Sequence, residues 1–198
     1  MRNILNDVII YPAVRERFFA AAFVSGACAM VLEIAGARLL SNFLGSSLHV
    51  WATVIGFVLA SLSLGYYIGG KLSGGKALPL ALSAAGISTA LFPYLAKALV
   101  PLTAQMGIEA ASLASGSLLF VPGLFYGMVS PNVIRMVKEG RSSSAPGAVF
   151  GVSTFGSLAG SLGTGFLLIP SMRLTEIFLA AGALMLASAF FSYRGDGK

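Results

Sequence analysis

Residues 18–40 read FFAAAFVSGACAMVLEIAGARLL, an almost unbroken apolar run. About 20 apolar residues are enough for a helix to cross the ~30 Å hydrocarbon core of a bilayer. Glu33 and Arg38 lie inside the run, and such charges are unlike the short apolar region of a cleaved signal peptide. We therefore expect a permanent membrane span near the N-terminus.

The same pattern recurs five times, so the sequence predicts an all-α integral membrane protein with six transmembrane helices. The predicted spans are residues 18–40, 49–69, 78–99, 111–129, 148–169 and 174–191. An extension of the fourth span past Pro131 toward Met136 stays open. Residues 1–17 are expected to form a cytoplasmic segment, residues 18–192 the membrane domain and residues 193–198 a cytoplasmic tail.

The composition limits the functions that the chain can carry. Hydrophobic residues make up 57% and charged residues 10%, against roughly 25% charged in an ordinary soluble domain. Too little polar sequence is left for a water-soluble catalytic domain of ~100 residues. No catalytic constellation, cofactor motif, His/Cys metal centre or nucleic-acid motif is present, and the single cysteine, Cys28, excludes an internal disulfide.

Lysine and arginine positions predict the orientation. When alternate connections are assigned to one side, that side collects ten of the 13 basic residues. The other side keeps Arg38, Lys97 and Arg173. Basic residues beside spans mark the cytoplasmic face. We therefore expect both termini in the cytoplasm and the chain in the cell's inner, cytoplasmic membrane, with its lipids as partners.

A weak internal repeat joins the two halves of the chain. A shift of 100 residues places Gly56 on Gly156 and Gly65 on Gly165, in spans that cross in opposite directions. Three helices followed by three related, inverted helices form the plan nested in each half of a major facilitator transporter. Pairs of glycines four residues apart also predict close helix packing, within the chain or at a dimer seam; these are Gly65 and Gly69, Gly123 and Gly127, and Gly156 and Gly160.

Several strings carry a family resemblance: LEIAGARLL at 32–40, FLGSS at 43–47, LGYYIGG at 64–70, YGMVSP at 126–131, GSLAG at 156–160 and GFLLIP at 165–170. They resemble the membrane domain of the fused proteins that join a major facilitator-like domain to a spermidine synthase-like domain. The resemblance covers most of residues 32–170. It implies a facilitator-like fold and makes a polyamine or another small organic cation the first expected substrate.

Two departures limit what the resemblance carries over. Family members typically have an acidic and a basic residue after the second helix, whereas residues 71–76 read KLSGGK. A gating contact through an aspartate is therefore not expected there. The sequence ends at Lys198, so we expect no aminopropyltransferase-like domain and do not carry over that activity.

Ionisable residues at membrane depth are the first candidates for substrate binding or coupling, since each costs ~3 kcal/mol on insertion scales. Glu33 could hold an organic cation, a metal ion or a proton, or could form a structural ion pair. Arg38 is turned by about 140° from Glu33 around the helix, so it is expected to snorkel to the outer interface or to line a vestibule. His49 begins the second span and is either a titrating group or an ordinary interfacial residue.

Aromatic and proline-associated residues complete the candidate set. Trp51 and Tyr66 fit interfacial anchors, although their rings could also stack on a bound cation. Ser130 and Asn132 flank Pro131, whose missing N–H frees a carbonyl for a ligand or simply kinks the helix.

Two main hypotheses follow. The first is a half-size transporter, or a membrane solute-binding protein, for a small cation, acting as a homodimer with twelve helices. The second is a membrane anchor that recruits a separately encoded spermidine synthase-like enzyme through its basic cytoplasmic loops. An intramembrane enzyme is the least supported, because paired catalytic groups are missing.

Overall fold

The computed structural model describes residues 2–72, 76–138 and 145–193, with the backbone alone for residues 2–15, 104, 138 and 145. Within these ranges all regular structure is helical. The α-helices are α1 Arg2–Leu44, α2 Leu48–Lys71, α3 Ala77–Thr103, α4 Ile108–Gly116, α5 Phe120–Lys138, α6 Ala145–Gly163, α7 Ile169–Ser171 and α8 Leu174–Tyr193. Two 3-10 turns, Ala104–Met106 and Ser117–Leu119, and a π-helical segment, Thr164–Leu168, join some of them.

Six stretches of these helices are long and apolar enough to cross a membrane, which confirms the predicted number of spans. In chain order they are Glu16–Leu44, Leu48–Lys71, Ala77–Thr103, Ile108–Val137, Pro146–Ser171 and Leu174–Tyr193. Each contains the span predicted from hydropathy. The chain is therefore an all-helical protein whose composition indicates a multi-pass membrane protein. The connection between the fourth and fifth spans, residues 139–144, lies outside the described residues.

Local chemistry explains where several helices begin and end. Between α1 and α2 the chain reverses at Gly45, whose φ of 80° suits glycine. Ser47 then caps α2, because its hydroxyl accepts a hydrogen bond from the backbone N–H of Val50 at 3.3 Å. Pro131 does not end α5, which continues to Lys138, so the extension of the fourth span past this proline is confirmed.

The spans pack mainly in three pairs: first with fifth, second with fourth, and third with sixth. The first and fifth spans run parallel, because Gly156 lies against Phe23 and Gly160 lies one turn further on against Ala27. The fourth span also packs on the third, and the sixth on the first. The first, third, fourth and sixth spans therefore form the centre, and the second and fifth spans lie at its sides.

Glycines make these interfaces close. A Cβ atom built on Gly156 would lie 2.1 Å from the carbonyl oxygen of Phe23, and one on Gly127 would lie 2.4 Å from that of Leu62. All six glycines of the predicted packing pairs make such contacts within the chain: Gly65, Gly69, Gly123, Gly127, Gly156 and Gly160. Their missing side chains let the helix backbones approach each other.

Residues matched by the 100-residue shift do not occupy equivalent environments. Gly156 is tightly packed, but a Cβ atom on Gly56 would meet nothing within 4 Å. The reverse holds for the other pair, because Gly65 lies against α5 and Gly165 contacts nothing within that distance. The identities at this shift therefore reflect glycine and leucine abundance more than shared packing.

Candidate functional site at Glu33

Glu33 lies close to the middle of the first span. The span runs from Glu16 to Leu44, so its midpoint is at Met30, and Glu33 lies three residues or ~4.5 Å beyond it. The predicted span 18–40 places Glu33 four residues beyond its own middle. The prediction and the structure therefore agree that the carboxylate lies in the half of the helix toward Leu44.

The helix directs Glu33 between the fourth and fifth spans. At 100° per residue, Glu33 lies about 20° from Gly26, seven positions earlier, and Gly26 contacts Ser153 of α6. It lies about 60° from Gly36 on the other side, and Gly36 faces Leu119 of the fourth span. The Glu33 side chain is partly exposed, so it is accessible from the surface of the helix bundle.

The fifth span departs from α-helical geometry beside Glu33. Gly156 contacts Phe23 and Gly160 contacts Ala27, so the residue numbers of contacting positions on these parallel spans differ by 133. The same difference places Glu33 level with residue 166. That residue lies inside the π-helical segment Thr164–Leu168. Pro170 follows and has no backbone N–H to donate to a carbonyl group of this segment. Single π-turns of this kind occur frequently at functional sites.

The fourth span is also irregular at this depth. Its 3-10 turn Ser117–Leu119 includes Leu119, the residue that faces Gly36 of α1. Pro122 follows in the first turn of α5 and cannot donate to the carbonyl of Leu118. Both spans beside Glu33 therefore carry a proline and a non-α segment close to its level.

The arrangement suits a cation more than an anion. Among the described residues Glu33 makes no hydrogen bond and no ion pair, so its carboxylate is available. Carbonyl groups released by prolines add partial negative charge in a region with little water. Carboxylate and carbonyl oxygens together form the ligand set of ammonium groups and hard metal ions.

The other candidates at the predicted outer end do not join this site. Arg38 is exposed and forms no ion pair with Glu33 within the described ranges. His49 Nε2 lies 3.9 Å from Glu109 Oε1, and both side chains are mostly exposed. Trp51 is 40% exposed one turn into α2, as an interfacial anchor would be.

The candidates at the opposite end form a second, separate group. Ser130 and Asn132 are buried, and the Asn132 amide donates to the carbonyl oxygen of Met128 at 2.7 Å. On the antiparallel fourth span Pro122 is level with Glu33, because Leu119 faces Gly36. Asn132 lies ten residues beyond Pro122, which is ~15 Å along the helix axis. Tyr66 packs edge-on against Phe150 at 6.5 Å between ring centroids. The predicted set is therefore divided among three depths, with Glu33 between the two end groups.

Sequence reasoning missed the residues that shape the Glu33 site, the segment Thr164–Leu168 and the turn Ser117–Leu119. Two prolines, Pro122 and Pro170, were the available signal, because each removes a hydrogen bond inside an apolar span. Arg135 was also missed as a capping residue. Its guanidinium donates to the carbonyl oxygens of Gly70, at 2.7 Å, and Leu72 at the end of α2.

Comparison with known proteins adds no relative. No protein-family model, no curated protein and no solved structure matches the chain. The resemblance to the membrane domain of fused spermidine synthase-like proteins therefore stays a prediction.

Proposed function

We propose that the chain is a half-size membrane transporter, or a membrane solute-binding protein, for a small organic cation of the polyamine type. The observation that carries this proposal is Glu33. It is a carboxylate near the middle of a membrane span, partly exposed, without an ion pair among the described residues, and flanked by two irregular helical segments.

The energetics support a role for this carboxylate in binding. A charged carboxylate near the membrane centre costs ~3 kcal/mol on insertion scales, and a helix-forming apolar residue would avoid that cost. A bound ammonium group would offset it through a charge-assisted hydrogen bond. Secondary transporters commonly place substrate sites near the midplane beside interrupted helices.

The pairing of the helices supports an inverted repeat. In an inverted repeat the first, second and third spans correspond to the fourth, fifth and sixth. The first–fifth pair then corresponds to the fourth–second pair, and the third–sixth pair corresponds to itself. These are the three most extensive interfaces. The next two interfaces, between the third and fourth spans and between the first and sixth spans, correspond to each other in the same way. The same contact pattern in both halves is what a two-fold axis in the membrane plane would produce.

The close contacts suggest a register for this repeat. A Cβ atom on Gly156 would meet the carbonyl oxygen of Phe23, and one on Gly65 would meet that of Leu124; likewise Gly26 lies against the carbonyl oxygen of Ser153, and Gly127 against that of Leu62. Matching these contacts relates the first span to the fourth by 101 residues and the second to the fifth by 91. The repeat would then rest on shared backbone approach rather than on the identities found at a single shift.

A homodimer would enclose the Glu33 site. The fifth span is the least buried of the six, and α2 and α6 carry glycines on which a Cβ atom would meet nothing within 4 Å, such as Gly56 and Gly151. Two copies joined along these sides would give twelve helices. Because the only cysteine, Cys28, is buried, a cysteine introduced at Leu59 of α2 should crosslink two copies, and one at Leu91 of α3 should not.

We propose an inner-membrane location with both termini in the cytoplasm. Lys71, Lys76 and Arg135 lie at one end of the bundle, as the contact of Arg135 with Gly70 illustrates. The opposite end carries Arg38, Lys97 and Arg173, three of the 13 basic residues of the sequence. This asymmetry follows the positive-inside rule.

Equilibrium binding of labelled spermidine to the purified protein in detergent tests the proposal. Glu33→Gln removes the charge and keeps the shape of the side chain, so binding should fall by at least tenfold. Glu176→Gln is the matched control, because this carboxylate accepts a hydrogen bond from the backbone N–H of Arg173 at the start of α8. It should bind as the wild type does, and flux into liposomes should follow the same order.

Absence of spermidine binding by a folded wild-type protein would reject the polyamine proposal. Equal loss in both variants would show that general negative charge, and not the Glu33 site, attracts the amine. If neither amines nor metal ions bind, the anchor hypothesis becomes the next to test, by capture of a soluble spermidine synthase-like enzyme.

A further inference from the structure

A groove runs along the surface between α3 and α8 at the end of the bundle that carries Lys76. It encloses about 430 Å³. On one side it is lined by Lys76, Leu80 and Ser83, and on the other by Leu186 and Tyr193 among its lining residues. The groove shares no lining residue with the Glu33 site, and it is independent of the proposed function.

The groove changes from polar to apolar along its length. The helices run antiparallel, since Gly86 lies against Gly182, so Lys76 is level with Tyr193 and Ser83 is level with Leu186. Seven residues separate these two levels, or ~10 Å along the helix axis. The end at the helix termini thus offers an ammonium and a phenol group, and the walls beyond are mainly hydrocarbon.

The Lys76 ammonium group is open to a ligand. Its side chain is exposed, and it makes no ion pair with an acidic side chain that the structure describes. It precedes the first turn of α3, a helix of 27 residues, whose N-terminus adds partial positive charge at the same place. Both features favour an anion at the end of the groove beside Lys76.

We propose that this groove binds one phospholipid with an anionic headgroup. The phosphate pairs with Lys76 at the membrane surface, and the beginning of one acyl chain lies between α3 and α8 against Leu80 and Leu186. An anionic lipid combines a negative headgroup with a hydrocarbon chain. Its headgroup would lie beside Lys76 and its chain along the apolar walls of the groove. The positive charge distinguishes anionic lipids from zwitterionic ones.

Native mass spectrometry of the purified full chain with palmitoyl-oleoyl phosphatidylglycerol or phosphatidylcholine tests the proposal. The wild type should retain one phosphatidylglycerol more strongly than phosphatidylcholine, and Lys76→Gln should weaken phosphatidylglycerol retention about fivefold. Lys97→Gln is the matched control. Lys97 lies near the opposite end of α3 and donates a hydrogen bond to Thr175 Oγ1 at 2.8 Å, so its loss removes the same charge elsewhere.

A second variant tests the groove itself. Ser83→Phe fills its apolar end, so retention of the first phosphatidylglycerol should fall although Lys76 is intact. Equal weakening by Lys76→Gln and Lys97→Gln would overturn the proposal, because it would show general electrostatic attraction. Unchanged retention in Lys76→Gln or in Ser83→Phe would overturn it as well, since the headgroup or the chain would then lie elsewhere.

Discussion

Gly156→Ala tests the packing of the first and fifth spans. The added Cβ atom would lie 2.1 Å from the carbonyl oxygen of Phe23. A Cβ atom essentially never lies within 3.0 Å of a heavy atom on a neighbouring helix, so the two helices must separate by about 0.9 Å. Phe23 contributes backbone at this point, and a rotamer change cannot relieve the clash.

The magnitude follows from two opposing contributions. Overpacking of a close interface costs about 1–3 kcal/mol, whereas alanine is favoured over glycine inside a helix by up to ~1 kcal/mol. Gly151→Ala on the same helix is the matched control, because its Cβ atom would meet nothing within 4 Å. Gly151→Ala should therefore be neutral or stabilising, and Gly156→Ala should be less stable than it by about 1–3 kcal/mol.

Thermal unfolding of both purified variants in the same detergent measures this difference. For a chain of this size, each kcal/mol corresponds to about 2–4 °C in Tm, so the two variants should differ by several degrees. Gly160→Ala, whose Cβ atom would lie 2.3 Å from the carbonyl oxygen of Ala27, should behave as Gly156→Ala does. Equal stability of Gly156→Ala and Gly151→Ala would refute the close approach of α1 and α6.

Three further outcomes are expected. Arg135→Ala should increase hydrogen exchange in the last turn of α2, because the carbonyl of Gly70 loses its capping donor; an unchanged rate there would contradict the cap. Tyr126→Phe should cost about 0.6 kcal/mol of stability and should show coupling with Thr89→Val in a double-mutant cycle, since the two hydroxyls lie 3.1 Å apart. Cys28 is 2% exposed, so a membrane-permeant maleimide should label it only after unfolding in SDS.

Hydropathy alone predicted the spans because the signal accumulates over about 20 residues. The sixth span begins at Leu174 in both the prediction and the structure, since a polar turn precedes a continuous apolar run. Even Pro131 changed little, because the helix around it is held by neighbouring spans. The all-helical architecture and the number of spans therefore needed no knowledge of which helices touch.

The helix pairing and the irregular segments could not be predicted from one sequence. Gly56 and Gly156 both lie inside apolar spans, yet only Gly156 faces another backbone, because contact depends on helix rotation and not on residue type. The π-helical segment Thr164–Leu168 contains no unusual residue, and only Pro170 indicated a lost hydrogen bond. Glu33 was predicted as a candidate, but its two irregular neighbours appeared only in three dimensions.

The two properties of the first span, close packing and an accessible carboxylate, occupy different depths. Phe23 and Ala27 lie against glycines of α6, whereas Glu33 lies six residues beyond Ala27, level with the π-helical segment. The tight backbone contact with α6 therefore involves residues other than Glu33. Stability and cation binding should therefore respond to different substitutions, which allows a binding defect at Glu33 to be separated from a folding defect.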